Sequence, residues 1–462
     1  MRLGWTTGKY STTYRAVKTI RVNGKNKTMI VKRFGSEKYI CETYGVTDAK
    51  AWAKEQVRKM NEIEMDDSPI FEIPLCSATD LTLGEQRCFN GGYLFLQDIY
   101  YELGLDKICT SIRTRHNFEF NLNQIFSRLI YTRILYPASK LSSFHDSRKF
   151  IEQPDFELHQ IYRALSVIAK ESDYIQSRLF KNSMQIEHRK TEVIYYDCTN
   201  FYFEINEAED DKQFGISKEN RPLPIVEMGL FMDRDGIPLA FSISPGNENE
   251  QQTLIPLENI LMEQFDLSKF IVCTDAGLSS NTNRYFNNYD KDDVTRDFIT
   301  TQSVKKLKKT YKTWAFNKDG WYLSGGDGRT TYNIETLDED KDFNKIYYKS
   351  RWIKEKVEVT INGVTKKVEL EQQLIVSYSI KYRNYLRSIR NRQIERAQKA
   401  VIAGAKAVGK KRPNDPKRFI KVNHATKDGE VAEETACYID EELIKQEEMY
   451  DGFYAVCTSL DD

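Results

Sequence analysis

Between residues 13 and 34 apolar and polar positions alternate, in Thr13-Tyr14-Arg15-Ala16-Val17-Lys18-Thr19-Ile20-Arg21-Val22 and again in Thr28-Met29-Ile30-Val31-Lys32-Arg33-Phe34. The Asn23-Gly24 pair between them supplies the turn, so this stretch predicts a β-hairpin with its basic side outward. From about Thr47 to Glu187 the period lengthens to that of a helix. Leu94, Ile99, Tyr100 and Leu103 precede Gly104, and Phe120, Leu122, Ile125, Phe126, Leu129 and Ile130 precede Pro137. A further helical run carries Leu158, Ile161, Tyr162, Leu165 and Ile168. The pattern predicts a helical layer.

At Glu192 the period changes abruptly. Val193-Ile194-Tyr195-Tyr196 is the short continuous apolar run of a buried central strand, and it ends in Asp197-Cys198-Thr199-Asn200. Ile225 to Met232 and Leu239 to Ser244, joined by Asp233-Arg234-Asp235-Gly236, predict a second hairpin. Gln251 to Phe265 reads as helix, and Phe270-Ile271-Val272-Cys273-Thr274 as another buried strand ending in Asp275-Ala276-Gly277. Strand, hairpin, helix and strand make an α/β layout. From Thr300 to Ser379 strand-like pieces dominate, among them Val357 to Ile361 before an Asn362-Gly363 turn. Residues 381 to 408 follow as a basic helix, then Lys410-Lys411-Arg412-Pro413, and Phe453 to Thr458 as a last apolar strand.

Composition narrows the class. Of 462 residues, 40% are hydrophobic, 12% aromatic and 29% charged, and mean hydropathy is −0.60. That is too aromatic for a disordered chain and too polar for an integral membrane protein. No stretch approaches the ~18 apolar residues of a spanning helix, so the expectation is a cytoplasmic protein. Eight cysteines without a C-x-x-C and five dispersed histidines indicate neither a zinc cage nor a disulfide framework. Formal charge is zero, but it is segregated. Residues 1–36 hold nine Lys/Arg and no acid; residues 381–421 hold fourteen against Glu395 and Asp415; residues 422–462 hold twelve acids against two lysines. Basic blocks of this density serve either as solvated faces or as footprints for a phosphate backbone, and two in one neutral chain point to nucleic acid.

Asp197 and Asp275 each follow a predicted buried strand, where open α/β sheets place their sites. If the strands are neighbours, both carboxylates reach one edge and can share Mg²⁺ or Mn²⁺, hard cations suited to in-line phosphoryl displacement. The plainer alternative makes Asp197 an Asx motif with Thr199 and Asp275 the cap of a helix starting near Ser279-Ser280.

Tyr196-Asp197-Cys198-Thr199-Asn200-Phe201-Tyr202-Phe203-Glu204 and Val272-Cys273-Thr274-Asp275-Ala276-Gly277-Leu278-Ser279-Ser280 resemble the first and second acidic motifs of bacterial insertion-sequence transposases with a DDE site. Arg133-Ile134-Leu135-Tyr136-Pro137-Ala138-Ser139-Lys140 resembles an upstream segment of one long-chained branch. The resemblance spans most of the chain. It implies an α/β fold with an RNase H-like catalytic core and a β-rich insertion, preceded by the basic hairpin and a helical N-terminal region. It also implies a homodimer on terminal inverted repeats of double-stranded DNA, with Mg²⁺-dependent cleavage and strand transfer. In that pattern Asp197 is the first metal-binding carboxylate and Asp275 the second. The family's glutamate lies on a helix after the strand that Asp451-Gly452-Phe453-Tyr454-Ala455-Val456-Cys457-Thr458 resembles, so the chain reads as C-terminally truncated, with an impaired DNA-binding remnant as the alternative. A general RNase H-like nuclease or metal phosphatase fits the basic N-terminal arm less well.

Glu395, in Arg390-Asn391-Arg392-Gln393-Ile394-Glu395-Arg396, imitates the missing acid only superficially and reads better as a salt-bridge partner of Arg392 or Lys399. The helix, through Arg383, Arg387, Arg390, Arg392, Arg396 and Lys399, is the candidate grip on phosphates. Trp314, Trp321 and Trp352 lie in the β-rich insertion, where related enzymes can hold a flipped base, although core packing is the commoner role. The expected organisation is a basic β-hairpin arm (1–46), a helical N-terminal region expected to bind DNA (47–190), the first part of the core (191–299), the insertion with its basic helix (300–440) and the returning strand (441–462).

Overall fold

The computed structural model describes residues 2–8, 11–22, 25–65, 88–291, 293–361, 363–402, 415–425 and 431–461. The Asn23-Gly24 turn and the Lys410-Lys411-Arg412-Pro413 segment lie outside them. The chain divides into two compact units, Met1–Arg87 and Cys88–Asp462.

In the first unit the alternating pattern forms the expected antiparallel hairpin, β2 (Thr12–Val22) with β3 (Lys25–Ser36). A third strand unforeseen in the pattern, β1 (Arg2–Thr7), pairs with β2. Gly35, at φ +108°, leads into α1 (Glu37–Tyr44), whose first turn is capped by Ser36. Together with α2 (Ala49–Met65), it packs on one sheet face through Tyr14, Ala16, Phe34, Ile40, Ala49, Ala53 and Val57. These two helices therefore belong with the basic hairpin, whose apolar positions they cover among the described residues of the unit.

The second unit opens with six helices: α3 (Tyr93–Glu102), α4 (Leu105–Arg115), α5 (Leu122–Leu135), α6 (Lys140–Asp146), α7 (Leu158–Lys170) and α8 (Ser172–Ser183). Their core gathers Tyr93, Tyr100, Ile112, Ile125, Tyr131 and Phe150. Arg128 is buried among the aromatics and meets Glu152 at 3.1 Å.

A large mixed sheet follows. Its first half comprises β4 (Val193–Tyr202), β5 (Ile225–Met232), β6 (Pro238–Pro245), β7 (Lys269–Thr274), β8 (Tyr289–Lys291) and β9 (Val294–Gln302), with α9 (Leu254–Phe265) and α10 (Asn281–Phe286) between strands. Residues 303–450 then add α11 (Lys309–Ala315), β10 (Trp321–Leu323), β11 (Thr331–Tyr332), β12 (Tyr347–Ile361), β13 (Val364–Tyr378), α12 (Ile380–Ile402), β14 (Ile420–Ala425), β15 (Val431–Ile439) and α13 (Glu441–Glu448). The last strand is β16 (Phe453–Thr458).

The strand order is β11-β10-β12-β13-β16-β9-β7-β4-β5-β6, with β8 on β9. The hairpins β4-β5-β6 are antiparallel, whereas β7 runs parallel to β4 and β9 parallel to β7. One sheet face is sealed by α9, whose Leu254, Leu257 and Leu261 meet Ile194, Tyr196, Phe231, Phe270 and Val272. A second core centres on fully buried Trp321 with Tyr347, Leu374, Val376 and Phe453. Returning β16 therefore enters the middle of the sheet, between β9 and β13.

Candidate functional site

Asp197 does not terminate its strand, contrary to the sequence expectation. It sits inside β4, opposite Leu230, because antiparallel pairing with β5 continues to Tyr202. Only the parallel pairing with β7 stops early, at Tyr195↔Cys273. The register pairs Val193 with Ile271 and Ile194 with Val272, and the same offset carried forward takes Asp197 to Asp275. By that offset Asp197 corresponds to Asp275, the residue after the end of β7, just beyond the point where β4 and β7 part. Adjacent strands lie about 4.8 Å apart.

The sequence alternates about Asp197. Ile194, Tyr196 and Cys198 are buried toward α9, and Asp197 belongs to the opposite set, with its side chain 66% exposed. Lys218, from the excursion between β4 and β5, places Nζ 3.9 Å from Asp197 Oδ1 and donates to the Cys198 carbonyl.

Asp275 is held differently. Its Oδ1 accepts from the amides of Gly277 at 2.9 Å and Leu278 at 3.1 Å, an Asx turn, while Ser280 caps α10. Gln251 Nε2 donates to the Gly277 carbonyl at 2.8 Å, and Asn283 Nδ2 donates to the Leu278 carbonyl at 2.9 Å. Thr300 Oγ1, on β9, donates to the Asp275 carbonyl at 3.2 Å. The 275–278 loop is therefore clamped from three elements, which leaves Asp275 Oδ2 outside the turn's own hydrogen bonds.

These donors suit a hard divalent cation in kind: two carboxylates in register, one with an oriented free oxygen. Mg²⁺ is commonly held by one or two carboxylates, with water and substrate phosphate completing its shell. Among the described residues no group of three His, Cys, Asp or Glu side chains converges on one point.

A site the sequence reading missed lies beside this edge. A cavity of about 630 Å³ is lined by Lys218, Glu227, Glu248, Glu250 and Gly277. Glu227 is only 4% exposed and its Oε2 has no hydrogen-bond partner. Burial, reinforced by Glu250 and Glu248, pushes its carboxyl up to about 7. Asn200 and Ser244 flank it on the neighbouring strands and also carry unpartnered buried atoms. One signal was available: in Ile225-Val226-Glu227-Met228-Gly229-Leu230-Phe231 the acid shares parity with Ile225 and Phe231, the buried face.

The basic helix is split by its own periodicity. Arg383, Arg387 and Arg390 lie at i, i+4 and i+7 and each reaches an acid of the fold, although Arg387 stays 51% exposed. Arg383 Nη2 donates to Glu339 Oε1 at 2.6 Å, and Arg387 Nε lies 3.4 Å from Asp451 Oδ2. Arg390 is buried and grips Asp451 through two bonds of 2.6 and 2.7 Å. Its guanidinium is thus consumed by the fold. Arg392, Arg396 and Lys399, on another face, are exposed, as is Glu395, which forms no ion pair among the described residues. Trp321 is a core residue whose Nε1 donates to the Asn317 carbonyl; Trp314 packs on that core, and Trp352 is 39% exposed.

No helix among the described residues is long and apolar enough to cross a membrane. No protein-family model matches the chain, and no curated protein matches it. Among solved structures, a piggyBac transposase synaptic complex with hairpin DNA aligns at 10% identity and TM-score 0.28, over 57% of this chain and 56% of that one. A Mos1 transposase paired-end complex with left transposon end aligns at 12% identity and TM-score 0.15, over 36% of this chain and 56% of that one. The chain thus spans little more than half the length of either transposase, a correspondence so distant that the chemistry has to be read from its own residues.

Proposed function

We propose that the chain is a DDE-type transposase of an insertion sequence, cutting and joining double-stranded DNA at terminal inverted repeats as a homodimer. In this reading β6-β5-β4-β7-β9 is an RNase H-like core, residues 303–450 are its insertion, and Asp197 and Asp275 are the metal-binding carboxylates. The β4–β7 register that matches Asp197 to Asp275 is the observation that carries it. A bound Mg²⁺ or Mn²⁺ supplies Lewis acidity at a phosphoryl oxygen and acidifies the attacking hydroxyl.

The chain's own residues do the positioning. The Gly277 and Leu278 amides fix Asp275 so that Oδ2 is the free ligand oxygen. Strand pairing on the β5 side fixes Asp197. Arg392, Arg396 and Lys399 remain exposed for phosphate contacts, whereas Arg383 and Arg390, and the half-exposed Arg387, are tied to acids that brace the helix.

A second reading, binding without cutting, is favoured by Lys218, whose ammonium already faces Asp197. A cleavage assay on a labelled duplex carrying the element's end, with Mg²⁺ or Mn²⁺, separates the two. Cleavage by the native chain that is lost in both Asp197→Ala and Asp275→Ala supports the first reading, and cleavage retained in either variant overturns the metal-site assignment. Binding by all three with no cleavage establishes the second. No binding at all overturns both.

A further inference from the structure

The first unit presents a second basic surface, on α2 rather than on the hairpin. On α2, Ala49, Ala53 and Val57 are buried against the sheet. One position further on, Lys50, Lys54 and Arg58 form an exposed stripe beside β1. Between that stripe and β1 lies a groove of about 660 Å³, lined by Arg2, Trp5, Lys50, Lys54, Glu55 and Arg58.

Four cations thus face one carboxylate, and Glu55 is already taken by Arg58, with bonds of 2.8 and 2.7 Å. Lys50 and Lys54 form no ion pair among the described residues. Like charges spaced i and i+4 destabilise a helix by a few tenths of a kcal/mol each unless an anion lies across them. At 1.5 Å per residue the stripe rises about 12 Å from Lys50 to Arg58, the axial length of three to four nucleotides of one strand at 3.4 Å each. Trp5, a large aromatic left 54% exposed, forms the β1 wall of the groove, with Lys50 Nζ 5.2 Å from its ring centroid. An aromatic wall beside a line of cations suits a sugar–phosphate backbone, where the ring packs on deoxyribose while the cations meet phosphates.

We infer that this groove seats one backbone strand of duplex DNA, a contact separate from the carboxylate edge. The inference rests on the proposal that the chain acts on DNA. The occupant follows from charge complementarity along a line, with a net excess of three positive groups in the groove.

The test uses the full chain and a labelled duplex of random sequence, with Kd measured against NaCl concentration. Each phosphate contact contributes about 0.9 to the slope of log K on log salt. Lys50→Gln/Lys54→Gln is expected to lower that slope by about 2 and to weaken binding roughly 10- to 60-fold near 0.1 M salt. Lys59→Gln, the same kind of charge loss on α2 outside the groove, should leave the slope nearly unchanged, and Trp5→Phe should abolish most DNA-induced fluorescence quenching. Circular dichroism should be unaltered in all of these variants, since each side chain is exposed. An unchanged slope in Lys50→Gln/Lys54→Gln overturns the groove while leaving the DNA reading standing. An equal loss in Lys59→Gln overturns it too, since diffuse charge would then suffice. Equal binding to phosphatidylserine vesicles and to duplex overturns the choice of occupant. A native chain that binds no duplex overturns the proposed function itself.

Discussion

Glu258 should make the second unit lose stability as pH rises from the ordinary carboxylate range to about 8, and no further above it. Its side chain is fully buried on α9, and Asn287 Nδ2 donates to its two oxygens at 2.8 and 3.1 Å. Burial pushes its carboxyl up to about 8, against the opposing pull of Asn287 and of the Arg296 charge. Asn287 Oδ1 is buried without a partner. A protonated Glu258 removes the buried charge, and its carbonyl still accepts the amide N–H. Since the folded-state value lies above the unfolded one, the stabilisation is complete below the ordinary carboxylate value and is lost as pH rises through about 8. The slope approaches but does not exceed about 1.4 kcal/mol per pH unit, so pH 6 to 8 costs on the order of 2–3 kcal/mol. With about 2.1 cal/mol/K of unfolding entropy per residue, a unit of this length loses about 3–4 °C in Tm. Glu258→Gln keeps an acceptor oxygen for Asn287 Nδ2 and carries no charge at any pH. Thermal unfolding of both chains from pH 5.5 to 8.5 should give a Tm difference that grows in favour of the variant up to about pH 8 and then levels off. Parallel profiles would refute the reasoning.

Asp451→Ala leaves the buried Arg390 guanidinium only half-exposed Glu448, at 3.6 Å, so urea unfolding should show a loss of about 3 kcal/mol, largely recovered in Asp451→Ala/Arg390→Leu; a loss under about 1 kcal/mol would contradict a buried pair. Gly229→Ala would put a methyl 2.1 Å from the Tyr196 hydroxyl, which is itself held 2.6 Å from Thr253 Oγ1. Displacing that buried ring should cost about 1–3 kcal/mol, and combination with Tyr196→Phe should be less than additive if the hydroxyl is the obstacle.

Local pattern alone determined much of this protein. The period-two alternation at residues 13–34 marked β2 and β3, Asp233-Arg234-Asp235-Gly236 marked the turn joining β5 and β6, and short apolar runs marked β4, β7 and β16. Such signals survive because each element's own side chains report which of its faces is dry. Partnership is not local, so only tertiary structure decided it. Asp197 and Asp275 were both legible as candidates, but their correspondence depends on which strands become neighbours and in what register. The arginines of α12 looked alike as a row of charges; Asp451, far along the chain, took Arg390 into the fold and left Arg392, Arg396 and Lys399 outside. The basic N-terminal block contributes only Arg2 to the groove, whose other cations, Lys50, Lys54 and Arg58, join it because α2 packs beside β1. Charge counts a line; packing converts it into a surface.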